Sequence, residues 1–497
     1  MKVIPMFRLP LSALLLLLTA TSFLHAADGP AITVVKDPSA GPLESYAANE
    51  LSGLLKTLFD AKVTEAKGNP PTGATNVIRL GAAPSKDFLP ADLGKQGHIV
   101  KSTPSGLVIA GGSPVATLWA VYEFGYANGM RYLTSGDFPP KEKPAFTLDG
   151  YDIVRKPLHT IRAWHIRTHG PASQAGWTVA DHEALLKQLA KLKFNAVILP
   201  ENREAISFDP IDVTGDIAGR AAFGGAREFQ NPELSADPDM IDRWIAGIEA
   251  AASRLGMKTE PIDHNTPKIS LGQAQGGLLP QTAPVTLPKG DFIVESSIVG
   301  DFNPQLHYLS RAAWDDSVTP ESALRDLATP ICGEGVAETL ALGFAAVAEI
   351  SALIEKEDST FAVPDPKMFM EHYASAEPAP EWWAKGKELY GKAVGEMYRA
   401  NTRARDGARP WILYHAKRYT FALHYLTAVE AARNASIARA AKDDDAWAEN
   451  VEAAIEAMHN ALGIYSEVAA DPSDRGAIAL LNEFAYRPLL EAMDELP

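Results

Sequence analysis

The sequence predicts an α/β protein over roughly its first two thirds and an all-α protein over the last third. Three observations carry this. Short β-branched runs alternate with amphipathic stretches from Ala31 to about Asp316. From Thr319 to Pro497 only long stretches of helical period remain. A single cysteine, Cys332, excludes a disulfide scaffold, so the folded chain must rest on its cores. At 497 residues, two to four domains with large cores are affordable. A formal net charge of -16 disfavours a nucleic-acid partner, because phosphate binding needs a basic surface.

Residues 1–27 read as a secretory signal peptide. Lys2 and Arg8 give a basic start, Leu11 to Leu24 an apolar core, and Ala26 and Ala27 small cleavage positions. That core is shorter than the ~20 residues of a membrane span, with a retained anchor as the alternative. Export to the periplasm or the extracellular space is the expectation. No later segment is expected to cross a membrane.

Residues 31–151 form the first unit. "AITVV" reads as a strand, and "PLESYAANELSGLLKTLFD" as a helix through Tyr46, Ala47, Leu51, Leu54, Leu55 and Leu58. "KVTEA", "NVIRLGA", "GHIVKS" and "GLVIAGG" follow as short strands. A second helix begins with Ser113 as N-cap and Pro114 in the first turn, and stops near Asn128-Gly129. The glycines of "GLVIAGGSP" match neither dinucleotide nor P-loop spacing, so they are assigned to a tight strand-to-helix turn.

Residues 152–316 alternate strand and helix, which implies a parallel sheet. "TIRAWHI", "FNAVILP", "MKTEPIDH" and "DFIVESSIV" are the strand candidates. "TVADHEALLKQLAKLK" is a helix with Thr178 and Asp181 as a capping box, and "MIDRWIAGIEAAASRLG" is another. Loops near Ser207–Asp237 and Ser270–Gly290 show no period and are long enough to be functional. Residues 317–497 read as a helical bundle opened by Thr319 and Pro320. Trp382, Trp383 and Trp411 either pack in it or line a sugar cleft. Cys332 reads as a buried, inert thiol.

"GHIVKSTPSGLVIAGGSPVATLWAVYEFGYANGMRYLTSGD" resembles the N-terminal accessory domain of secreted glycoside hydrolases of the α-glucuronidase and bacterial β-hexosaminidase type. "YLSRAAWDDSVTPESALRDL" and "ARPWILYHAKRYTFALHYL" are similar to the helical C-terminal region of α-glucuronidase-like proteins. The resemblance implies a (β/α)8 barrel beginning at "TIRAWHI", a carbohydrate substrate and no cofactor. The span 152–316 falls short of the ~250 residues typical of a closed barrel. The expectation is therefore an incomplete or shortened barrel between an α/β accessory domain and a helical domain.

On a barrel strand, Thr160, Arg162 and Trp164 are expected to face inward and Ile161 and Ala163 outward. Arg162 then clamps a sugar carboxylate and Trp164 stacks on a ring, unless Arg162 is a structural arginine inside the sheet. His165, Arg167 and His169 reach the C-terminal rim, where barrel enzymes keep their sites. Glycoside hydrolysis calls for two carboxyl groups. Glu201 and Asp263 are the selected catalytic pair, with His264 beside Asp263; Glu204, Glu295 and Asp301 are further strand-end carboxylates. No metal site is assigned. The alternative is a catalytically inactive carbohydrate-binding or scaffold protein derived from such an enzyme.

Overall fold

A computed structural model describes residues 29–200, 206, 208–213, 222–234, 238–272, 278–282, 285–358, 361 and 369–494. The signal-peptide assignment, Glu201 and Glu204 lie outside these residues.

Eight strands precede Pro157: β1 (Ala31–Lys36), β2 (Lys62–Lys67), β3 (Val77–Leu80), β4 (His98–Thr103), β5 (Gly106–Gly111), β6 (Arg131–Leu133), β7 (Gly136–Phe138) and β8 (Asp152–Arg155). Six form one sheet in the order β2-β1-β3-β5-β4-β8, while β6 and β7 make a separate hairpin. The β1, β2, β3 and β5 pairings are parallel; β4 runs antiparallel to β5 and β8. Strand β1, inside the sheet, buries Ile32, Thr33, Val34 and Val35 in succession, as a strand covered on both faces does.

Helix α1 (Pro42–Phe59) buries Leu51, Leu54, Leu55 and Leu58. Helix α2 (Pro114–Ala127) starts where the Ser113 hydroxyl accepts the Ala116 amide at 3.3 Å. The preceding turn admits only glycine: a side chain on Gly112 would meet the Gly94 carbonyl at 1.8 Å. Every residue of α2 from Ala116 to Gly125 is buried, so the helix is covered on all sides.

The second region holds β9 (Arg162–His165), β10 (Ala196–Ile198), β11 (Ile211–Asp212), β12 (Glu228–Phe229), β13 (Lys268–Ser270) and β14 (Phe292–Glu295). Four of these form a parallel sheet in the order β10-β9-β14-β13. Beyond β10, Lys258 adds a single parallel bridge to Ala196. This bridge is all the strand pairing in "MKTEPIDH"; beyond it Ile262 packs on Ala163, Ala196 and Ile293, on the cleft-bearing face of the sheet, its concave face. Helices α3 (Val179–Lys191), α4 (Pro238–Arg254) and α5 (Asn303–Ala312) follow the strands, and α3 keeps its Thr178–Asp181 capping box.

The two faces of β9 are the reverse of the sequence expectation. Arg162 and Trp164 point to the helix side and are 1% and 0% exposed. Ala163 and His165 point to the concave side. Ala163 packs with Ala196 and Ile293 and with Ile161, Ile198 and Ile262 on one face, while Trp164 joins the core that α3 and α4 build on the other. In a strand buried on both faces, apolarity does not mark which face is which.

Arg162 is a structural arginine. It donates to the carbonyls of Lys193 at 2.8 Å and His159 at 2.6 Å and to Gln96 Oε1 at 3.0 Å, and its guanidinium stacks over Trp314 and Trp119. Burial pulls its pKa down to about 9. It cannot clamp a ligand, and Trp164 cannot stack on one.

The helical end comprises α6 (Pro320–Cys332), α7 (Val336–Glu357), α8 (Phe369–Tyr373), α9 (Glu381–Arg403), α10 (Arg409–Ala441), α11 (Asp444–Ser466), α12 (Pro472–Leu481) and α13 (Arg487–Asp494). A π-helical turn at Asn482–Tyr486 separates the last two. Helix α7 is long and apolar enough to cross a membrane, contrary to expectation, but it packs against α6 and α9 and is mostly buried. Trp383 and Trp411 are buried, and Trp382 packs on Phe361 and Trp383. Cys332 is fully buried, with its pKa raised to about 12 by desolvation.

Two sealed charge clusters join the regions. Glu123 of α2, 1% exposed, accepts both Arg311 nitrogens at 2.9 and 3.1 Å, Arg155 Nε at 3.0 Å and the Lys193 ammonium. Asp301 takes a bidentate pair from Arg418 of α10 at 3.0 and 2.7 Å, tying the α/β part to the bundle. Asp301 is thus a structural carboxylate, as its burial beside an equally buried guanidinium requires.

Candidate functional site

The parallel register places one residue from each strand in a single row: Ser270, Glu295, His165 and Ile198. Each is the last residue of its strand, so the row marks the C-terminal edge of the sheet. Paired residues share a face, so the polar members of the row meet. Glu295 Oε2 lies 2.7 Å from His165 Nδ1, and its Oε1 accepts the Ser270 hydroxyl at 2.7 Å. Arg167 Nη1 stands 3.6 Å from Oε1. The Glu295 side chain is 12% exposed and that of His165 26%.

The His165 hydrogen bond, aided by Ser270 and Arg167 and opposed by burial, holds the Glu295 pKa down to about 2. Glu295 is therefore ionised at neutral pH and can only accept hydrogen bonds. It follows that Nδ1 of His165 carries the proton facing it, which leaves Nε2 as the ring's other donor or acceptor.

His165 opens into a cleft of about 380 Å³ on the concave face. Its walls include Ile198, Glu260, Asp263, His264 and Lys268. Asp263 and His264 are exposed. Asp263 Oδ1 accepts the Asn265 amide and side-chain nitrogen at 3.0 Å each, a turn that fixes one carboxylate oxygen and leaves the other toward solvent. Of the expected site residues, His165, Asp263 and His264 thus share one cleft, while Arg162 and Trp164 lie behind it. Glu260 and Lys268 of the cleft, and Ser270 behind His165 on Glu295, are residues that sequence reasoning missed, and Glu295 was one unselected candidate among several. Strand β13 is too short to show a period; the signal that was available is Glu295 at the end of the apolar run "DFIVE". Among the described residues no cluster of three or more His, Cys, Asp or Glu side chains could hold a metal ion.

No protein-family model matches the chain, and no curated protein sequence matches it. Among solved structures it is similar to a family GH115 4-O-methyl-α-glucuronidase with specificity for decorated arabinogalactans, at 13% identity and a TM-score of 0.52, covering 91% of this chain and 79% of that one. It is also similar to a GH138 enzyme targeting pectin rhamnogalacturonan II, at 9% identity and a TM-score of 0.48, covering 94% and 99%. A mutant Streptomyces plicatus β-hexosaminidase in complex with GlcNAc overlaps less, at 16% identity and a TM-score of 0.27, covering 49% and 42%. The first likeness is one of fold: a mixed α/β chain with a helical C-terminal part.

Proposed function

We propose that this chain is an exported glycoside hydrolase that takes an oligosaccharide into the cleft beside His165 and hydrolyses an O-glycosidic bond. The observation that carries the reading is the Ser270–Glu295–His165 row at the C-terminal strand ends, whose His165 lines a cleft that Asp263 and Glu260 also line. The sheet order, with β14 beside β9, matches the seam of a (β/α) barrel whose last strand returns to its first. In this reading the strands are part of a shortened barrel.

Each side chain has a role. Glu295 positions His165 and balances its charge. His165 Nε2 delivers a proton to the leaving glycosidic oxygen. Asp263 takes a proton from the water whose oxygen bonds to the anomeric carbon. Lys268 supplies a positive charge for a uronic-acid carboxylate, consistent with an α-glucuronidase-like substrate. The N-terminal basic and apolar stretch supports export to the periplasm or outside the cell.

A second reading, sugar binding without chemistry, is favoured by one observation: Asp263 sits exposed in its own turn rather than fixed against a second carboxylate. One experiment separates the two. Purified protein is assayed on aryl glycosides, including glucuronides and N-acetylhexosaminides, beside Glu295→Gln, His165→Ala and Asp263→Asn. Hydrolysis by the wild type with losses of about 100-fold or more in the variants is expected. Undiminished turnover in all three variants sinks the assigned site. A folded wild type that binds oligosaccharide without turnover favours the second reading.

A further inference from the structure

A larger cavity, of about 730 Å³, lies where the three regions meet. It shares no lining residue with the cleft beside His165. Ser135 from the β6–β7 hairpin, Trp177 and Asp181 at the start of α3, Trp411 and Tyr414 of α10, and Asp471 before α12 all line it.

The lining combines two chemistries. Trp177, Trp411 and Tyr414 are 4%, 3% and 8% exposed and form the fixed back of the cavity, while Phe138, Leu413 and Val468 supply partly exposed apolar surface beside them. Trp177 Nε1 donates to Ser473 at 2.7 Å, and the Tyr414 hydroxyl donates to Asp474 at 3.1 Å. Gly300 on the opposite side leaves room for the Tyr414 ring, since a side chain there would meet its hydroxyl at 2.6 Å. The polar groups are half used. Asp181 caps α3 with Oδ2, accepting from the Thr178 amide at 2.9 Å and hydroxyl at 2.6 Å. Asp471 caps α12 with Oδ1, accepting from the Ser473 and Asp474 amides at 2.8 and 3.1 Å. Among the described residues, the second oxygen of each carboxylate takes no hydrogen bond.

We infer that this junction cavity is a second saccharide-binding site, separate from the proposed catalytic cleft. The partly exposed apolar wall suits the C–H groups of a sugar ring, and the free oxygens of Asp181 and Asp471 can hydrogen-bond its hydroxyls. The volume lies within the range of ligand sites, and such sites favour junctions between domains. The site would hold one part of a polysaccharide while another lies in the cleft. The inference rests on the carbohydrate reading above, but its test does not depend on turnover.

The test titrates xylohexaose, β-1,4-galactohexaose and chitohexaose into the full chain by calorimetry. The proteins are wild type, the cleft variant Asp263→Asn, the filled-cavity variant Ala469→Trp, and Asp471→Ser, which keeps a capping hydroxyl but removes the carboxylate. The expected result is that at least one sugar still binds Asp263→Asn. That sugar loses one equivalent of binding in Ala469→Trp and binds about tenfold more weakly in Asp471→Ser, with aryl-glycoside turnover unchanged in both. Stoichiometry and affinity unaltered in the two cavity variants overturn the inference, as does the absence of any binding to Asp263→Asn. If Ala469→Trp does not fold, Asp471→Ser decides alone. Absent turnover alongside intact cavity binding counts against the catalytic reading and not against this one.

Discussion

Glu123 and Glu295 are both carboxylates held ionised inside the protein, yet their surroundings assign them opposite duties. Glu123 is met by Arg155, Lys193 and Arg311, and no side of it reaches water. Coulombic attraction to these cations outweighs its burial and keeps its pKa well below the usual range. Glu295 is met by a histidine, a hydroxyl and a more distant arginine, and its histidine opens onto a cleft. Two fixed cations in excess of one carboxylate make a joint. One titratable partner facing a cavity makes a site. The lesson is that a depressed pKa alone does not distinguish the two; what the carboxylate's partner faces does.

The comparison is broken most forcefully at the joint. Glu123→Gln leaves Arg311 and Lys193 buried without a counter-charge and is expected to destabilise the fold by roughly 3–5 kcal/mol, read by urea or thermal unfolding. Burial already brings Lys193 down to about pKa 7 against its ordinary 10.5. Asp301→Asn strips the fully buried Arg418 in the same way; a cost of about 3 kcal/mol is expected, with unfolding beginning between the α/β part and the bundle. A cost under about 1 kcal/mol in both variants would mean that these clusters do not hold the regions together.

Glu295→Gln sharpens the other side. It should cost less than about 2 kcal/mol, since it removes hydrogen bonds to a charged group without stranding a sealed cation. Its effect on stability carries a pH signature. The Glu295 pKa is lowered from 4.5 to about 2, so the unfolded chain binds its proton first as the solution is acidified. Its contribution is full above pH 4.5 and disappears as the pH falls through about 2. The stability gap between wild type and Glu295→Gln should therefore narrow across that window in acid-unfolding curves, and a gap constant down to pH 2 would contradict the assigned ion pair.

Much of the fold was legible because it rests on local chemistry. Ser113, Thr178 and Thr319 each cap the helix they were expected to start, since a short hydroxyl side chain satisfies a free amide wherever it sits. The apolar spacing of α1 and the buried run of β1 were readable for the same reason. What was not legible was long-range. The face that β9 turns to the cleft depends on what packs behind Trp164, and no period within "TIRAWHI" encodes that. Lys258 looked like the start of a strand by composition, but only one residue finds a partner. Asp301 resembled the other strand-end carboxylates, and only Arg418, 117 positions later, distinguishes it. The cleft row was visible in part: Glu295 and His165 were each identified, but their pairing was not, because register is a property of two strands.

That pairing has a consequence for how the protein is made. His165 and Glu295 stand 130 positions apart, and β9 lies at the middle of its sheet with β14 on one flank. While a ribosome has delivered the chain only as far as β10, one edge of β9 is an open row of amides and carbonyls beside a core tryptophan. Closing it requires a contact of long sequence separation, which is slow. The proposed site cannot form until β14 has been delivered, and a chain terminated before Phe292 would present a sticky strand edge in place of a cleft.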